Sequence, residues 1–435
     1  MTELSMTQSS QSKIGADADA EKRLKARYRA EKRFRAYGLV SIGIALFFLA
    51  ALLASIVARG WSAFTTAYIE LPVTFDAELI DPDGTRDHAT LSSADYRGVI
   101  AASLARKYPD VADNRGALRD LQKMVSSGAE LELRKMVLAN PAIIGTSQTL
   151  WLPASSSVDQ VIKGNAAHDD SSGLSEGALA RLDQMLAAGT LKRRFNSFLF
   201  VNGDSRQPEL AGLIGAVVGS FYSLAITLVL SFPLGVAAAV YLEEFASKNR
   251  WTDLIEVNIN NLAAVPSIVF GLLALEIFLN VMGLPRSTPV VGGLALTLVS
   301  LPTIIISARV ALKAVPPWIR EAAQGLGASR QQMVTHHVLP LAMPGILTGT
   351  IIAMARAIGE TAPLLMIGMQ AFVVDVPATP VDPATALPVQ VYLWAGSSER
   401  AFVERTSAAI IVLLVCLALM NATAIYLRKK FERRW

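Results

Sequence analysis

Cysteine is almost absent from this sequence: Cys416 is the single one in 435 residues. It sits inside an apolar run, so disulfides play no part in the fold. Charge is also scarce. Asp, Glu, Lys and Arg make up 17% of the chain, against about 25% in soluble domains. Hydrophobic residues make up 52% and are gathered into blocks, which excludes an ordinary soluble protein of this size. No Gly-x-x-x-x-Gly-Lys-[Ser/Thr] loop occurs, so the chain cannot cradle ATP phosphates in the usual way. Neither HExxH nor Gly-x-Ser-x-Gly occurs, which argues against an intramembrane protease or hydrolase. The neighbours His336 and His337 face different ways on a helix and make a poor metal site. Energy for any work the chain does must therefore come from another subunit or an ion gradient.

What is present is a series of long apolar stretches. A bilayer core of about 30 Å needs about 20 apolar residues in a helix. Residues 37–57, 210–242, 287–308 and 406–427 carry no charge, 257–285 carries only Glu276, and 338–374 only Arg356 and Glu360. Six membrane spans are predicted. Lys22, Arg23, Lys25, Arg27, Arg29, Lys32, Arg33 and Arg35 precede the first, and Arg428, Lys429, Lys430, Arg433 and Arg434 follow the last. Basic flanks stay in the cytoplasm, and six crossings bring both termini to that side. The net charge of +4 thus reads as topology, and a nucleic-acid partner is not expected. The first span has too long a polar lead and apolar core for a cleaved signal peptide. Arg309 and Lys313, at the end of the fourth span, are expected to snorkel.

Between the first two spans lie about 150 residues of soluble composition, enough to fold alone. Residues 68–80 read as a strand ending at the turn Asp81-Pro82-Asp83-Gly84. Residues 92–107, 115–125, 129–139 and 176–200 read as helices, and 146–152 as a second strand. The expectation is a small mixed α/β domain on the outward side, structural or docking in role.

The segment between the fourth and fifth spans carries the sharpest motif. It runs Glu321-Ala322-Ala323, three residues, Gly327, nine residues, His337, one more, and Leu339-Pro340. Physically this is an amphipathic helix started by Pro316-Pro317, a glycine turn, and a second helix reaching a proline at the membrane. Small Ala322 and Ala323 let a partner surface approach, and Glu321 offers it a charge. Such a helix suits a lever that passes a partner's motion to the membrane.

Inside the fifth span stand Arg356 and Glu360. A charge at mid-bilayer costs about 2.5–3.5 kcal/mol, and at i and i+4 on one helix the two can pair. Counted from Pro344, Arg356 lies about 18 Å into the membrane. A guanidinium matches a phosphate's oxygens in a bidentate way, and a nearby carboxylate lowers the cost of burying it while no anion is bound. A purely structural ion pair is the competing reading. Gly345 and Gly349 form a small-residue face for close helix contact, with a partner or within the bundle. Glu276 reads as interfacial.

The loop resembles the EAA loop of ABC-type importer permeases in every spacing, with His337 where an aliphatic residue is usual. The stretches Pro266-Ser267-Ile268-Val269-Phe270-Gly271-Leu272 and Ala355-Arg356-Ala357-Ile358-Gly359-Glu360-Thr361-Ala362-Pro363-Leu364-Leu365 resemble phosphate-specific permeases of the PstA family. The resemblance covers residues 219–427, and the enlargement at 59–209 lies outside it. It implies an all-α polytopic membrane protein with a six-helix MetI-like bundle, plus a small mixed α/β periplasmic domain. The division would be a cytoplasmic tail at 1–36, a first membrane helix at 37–58, the periplasmic domain at 59–209, a permease domain at 210–427 with a coupling loop at 313–340, and a tail at 428–435.

The resemblance further implies a phosphate permease without a catalytic site, cofactor or metal of its own, in a bacterial inner membrane. Glu321, Ala322, Ala323, Gly327, Leu339 and Pro340 would dock a PstB-like ATPase dimer, which uses the ATP. Arg356, Glu360 and Thr361 would line the pathway, with a PstC-like second permease and a PstS-like binding protein as partners amid membrane lipid. A permease for another oxyanion or small solute, a membrane-anchored sensor or scaffold, and a secondary transporter are the alternatives.

Overall fold

The computed structural model describes residues 3–112, 114–169 and 173–431, so Arg433 and Arg434 lie outside the described residues. The chain divides into two compact units, Met1–Ala58 and Arg59–Trp435.

The first unit belongs to one helix, Glu3–Gly60, whose apolar side chains Leu39, Phe47, Phe48 and Leu52 are all exposed. Its turns at 37–57 are apolar on every side, which matches a lipid surround.

The second unit begins with the predicted mixed domain. Strand β1 (Thr65–Thr74) is central, flanked by β2 (Ser147–Pro153) and β3 (Leu191–Phe195), both antiparallel to it. The register pairs Leu71 with Leu150 and Ala67 with Arg193. Ile69, Leu71, Val73 and Phe75 are buried under helices supplying Leu104, Leu133, Val137, Leu182 and Met185. Two of the expected elements are corrected. The strand expected over 68–80 stops at Thr74, because Asp76 caps a helical turn, Ala77–Ile80, by accepting from the Glu78 amide. The helix expected over 176–200 ends at Ala187, since Gly189 takes φ +68° and turns the chain into β3.

Among the described residues five helical stretches are long and apolar enough to cross a membrane. They are Arg23–Phe64, Ile214–Phe245, Pro289–Lys313, Arg330–Ala357 and Ala401–Lys430. The stretch read as a straight span at 257–285 is instead two helices, Arg250–Ala264 and Ser267–Val281, bent by 102°. Pro266 explains the break: it lacks an amide hydrogen and pushes Val265 into an extended conformation. Counting that pair as one span restores six. The stretch 338–374 is also broken, and its helix stops at Ala357. A short, largely buried helix, Leu387–Ala395, lies between the broken fifth stretch and the last.

The bundle is held by close helix contacts and buried hydroxyls. The Ile214–Val240 and Pro289–Lys313 helices touch where Thr227 Oγ1 donates to the Gly293 carbonyl at 3.1 Å. A Cβ on Gly349 would lie 1.9 Å from Ser307 Oγ, and one on Gly345 would lie 2.7 Å from Ala311 Cβ. The small-residue face therefore packs inside this chain. Arg309 does not simply snorkel: it reaches Glu256 at 2.5 Å and Glu243 at 3.6 Å, and Lys313 shares Glu243.

Candidate solute pathway and coupling loop

The motif loop folds as its composition asks. Pro317 occupies the first turn of the Pro317–Gly325 helix, where its missing amide hydrogen costs nothing. The helix closes in a Schellman motif: the Ala328 amide donates to the Ala323 carbonyl at 3.0 Å and the Gly327 amide to Gln324 at 2.9 Å. That geometry puts Gly327 at φ +87°, which an L side chain adopts only with strain. Ser329 and Gln332 then form a capping box that starts the next helix. It runs through a π-helical stretch, Met333–Val338, directly into Leu339–Ala357. Leu339 and Pro340 are thus the joint between loop and membrane helix, in continuous helical backbone.

Glu321 and Ala322 are exposed, as are Trp318 and Leu326. At i, i+4 and i+8, Trp318, Ala322 and Leu326 make one apolar stripe. Ala323 turns the other way: it is buried with Leu312, Met333, Val338 and Ile346, so it anchors the helix to the bundle. His337 is exposed, and Met333, Val334 and Val338 supply the packing of the second loop helix.

The loop helix is fastened by a residue that sequence reasoning missed. Arg320 donates to buried Glu244 at 2.7 Å and to the carbonyls of Val315 and Leu312 at 2.7 and 2.9 Å. The acidic pair Glu243-Glu244, at the end of one span and facing Arg309, Lys313 and Arg320 in sequence, was the available signal.

Arg356 and Glu360 do not share a helix face. The helix ends at Ala357, and Arg356 Nε donates to Glu360 Oε1 at 3.0 Å across the break that follows. Pro363 has no amide to give the Gly359 carbonyl, so the helix cannot continue; the Thr361 hydroxyl approaches that carbonyl at 3.5 Å. The Arg356 side chain is 48% exposed and Glu360 16%. The Arg356 guanidinium is thus half open beside a helix break, and its planar donors not used by Glu360 are free of protein cover on one side. The break also packs against the other singled-out stretch: a Cβ on Gly271 would come within 2.7 Å of Pro363 Cα. Glu276 stands apart, accepting from Asn280 at 2.8 Å.

Comparison with known proteins bears on the family. The family "Binding-protein-dependent transport system inner membrane component" matches residues 231–435. The PstA phosphate transport permease of Yersinia pestis is 33% identical over 223 residues, 50% of this chain and 74% of that protein. This chain belongs to that transport-permease family. PstA 1 of Mycobacterium tuberculosis is 31% identical, over 51% of this chain and 72% of that protein. The probable ABC transporter permease YqgI of Bacillus subtilis is 39% identical, but the alignment spans only 58% of its length and 39% of this chain. A further family, "Domain of unknown function (DUF3333)", matches residues 21–171 and so covers most of the enlargement. This permease is a multi-pass membrane protein of ABC-transporter type with an added α/β domain.

The added domain is joined to the permease helices by a buried charge cluster that sequence reasoning also missed. Lys163 contacts Asp159 at 2.5 Å and Glu404 at 2.9 Å, with all three side chains 4% exposed or less. Glu404 also accepts from Gln160 at 2.5 Å and Asn165 at 3.3 Å, and Arg405 donates to the Ala63 carbonyl at 3.4 Å. Burial raises the Asp159 carboxyl above its ordinary range, and Lys163 opposes that rise. Burial likewise raises Glu209, opposed by a hydrogen bond from Ser126.

Proposed function

We propose that this chain is a membrane permease subunit of an ATP-driven importer for inorganic phosphate. It would lie in a bacterial inner membrane with both termini cytoplasmic and the 59–209 domain periplasmic, following its basic flanks. The chain would bind no cofactor. A partner ATPase dimer would consume the ATP and grip the exposed face around Glu321 and Ala322, with Gly327, Leu339 and Pro340 passing the motion on. A second permease would complete the pathway, and a binding protein would deliver the solute.

The observation that carries the solute assignment is the half-open Arg356 guanidinium beside Glu360 at a helix break. It offers planar, permanently charged donors to an oxyanion, while Glu360 holds it between transport cycles. The relatives named as phosphate transport permeases support the same solute. The guanidinium suits other oxyanions equally, so uptake of labelled phosphate is measured against sulfate and molybdate in cells carrying the complete transporter. Arg356→Gln should abolish uptake while the complex still assembles. Loss of assembly would make the pair structural, and preferential sulfate or molybdate uptake would replace the solute.

A further inference from the structure

An aromatic ladder, exposed at Trp61, Phe195 and Phe200 and half-buried at Phe64, lies at the base of the 59–209 domain. Trp61 meets Phe64 edge-on at 5.9 Å, Phe64 stacks on Phe200 at 6.0 Å, and Phe200 stacks on Phe195 at 5.7 Å. Aromatic rings usually bury most of their area, yet Trp61 is 71% exposed, Phe195 64%, and the adjoining Val201 68%. Arg193 shares the strand face of Phe195 and donates to Thr65 Oγ1 at 3.0 Å. Arg59 is exposed two residues before Trp61.

The position of the ladder names what covers it. Trp61 follows the apolar run 37–57 by four residues. On the permease side, Ala63 shares a buried cluster with Ala408 and Ala409, Phe64 packs against that cluster, and a Cβ on Gly60 would touch the Ser407 and Ala408 backbone. Those residues begin the uncharged run of the last helix, directly after the charged pair Glu404 and Arg405. The ladder therefore sits where two membrane helices reach their polar ends. At that depth the Trp61 indole, apolar but for its N–H, with apolar Phe rings below it and cations beside it, fits the boundary between headgroups and acyl chains of a bilayer.

We propose that Trp61, Phe64, Phe195 and Phe200, with Arg59 and Arg193, form a lipid-docking surface that seats the added domain in the phospholipid leaflet on its own side of the membrane. The surface gives the domain a second attachment beside the charge cluster at Glu404, and fixes its height over the permease helices.

The test uses the full chain in phospholipid nanodiscs, with bromine carried on the acyl chains either near the glycerol or near the chain ends. Emission from Trp61 is taken as the difference between wild type and Trp61→Phe, a change that keeps an aromatic ring and spares the fold. Shallow bromine should reduce that difference about twofold and deep bromine much less, with aqueous acrylamide having little effect. Quenching by acrylamide and by neither lipid would overturn the proposal, because the ladder would face water. Protection from all three quenchers would also overturn it, because another protein surface would then cover the ladder.

Discussion

Lys163→Met tests whether the buried charge cluster holds the added domain to the permease helices. In the wild type Lys163 and Arg405 offset Asp159 and Glu404, with buried Glu209 also near Arg405, so removing one ammonium leaves an added uncompensated negative charge. Breaking a buried ion pair from one side costs about 3–5 kcal/mol, and retained Arg405 favours the lower end. The most direct readout is the Ala67 amide in β1, which donates to Asp159 Oδ1 at 2.8 Å. At about 1.4 kcal/mol per tenfold, its hydrogen exchange in the full-length variant should quicken about a hundredfold at pH 7 relative to wild type. The pH dependence has a definite sign. Burial already raises the Asp159 carboxyl and Lys163 opposes the rise, so the variant's value lies higher still. A carboxyl raised on folding holds its contribution below its unfolded value and loses it as pH rises through the folded one. The deficit should therefore be largest at neutral pH and shrink as pH falls toward the unfolded carboxylate range. An exchange ratio near one at pH 7, or a ratio that grows on acidification, would refute the role assigned to this cluster.

Other perturbations test the bundle and the loop. Glu244→Gln should loosen the Pro317–Gly325 helix and lower ATP-coupled uptake, since it weakens the bonds from Arg320; adding Arg320→Met should cost little more, and additive losses in a double-mutant cycle would argue against a shared lock. Gly349→Ala drives a Cβ to 1.9 Å from Ser307 Oγ and should destabilise the helix pair by about 1–3 kcal/mol. Thermal unfolding in detergent measures that loss, and Ser307→Gly should recover most of it; an unchanged melting point for the single variant would refute the close contact. Gly327→Ala should cost about 1 kcal/mol through its positive φ alone, seen as faster exchange of the Ala328 amide without loss of the bundle.

What the sequence determined by itself was whatever depends on composition and local spacing. Apolar runs of bilayer length and the order Pro-Pro, Glu-Ala-Ala, Gly and Leu-Pro were enough to locate most of the long apolar helices and to build the loop helix, because caps and turns are made by neighbours within a few residues. Local order misled where an apolar run looks the same straight or broken: Pro266 and Pro363 ended helices that hydropathy carried through, and Gly189 turned an expected helix into β3. Only the tertiary structure decided which side chains meet across long separations. It brought Gly271 onto Pro363, set Ala323 inward while leaving Ala322 exposed, joined Arg320 to Glu244, and buried Lys163 between Asp159 and Glu404, the last lying 241 residues from Lys163. Burial and pairing of charge depend on what the rest of the chain packs around them, and no local pattern of residue types carries that information.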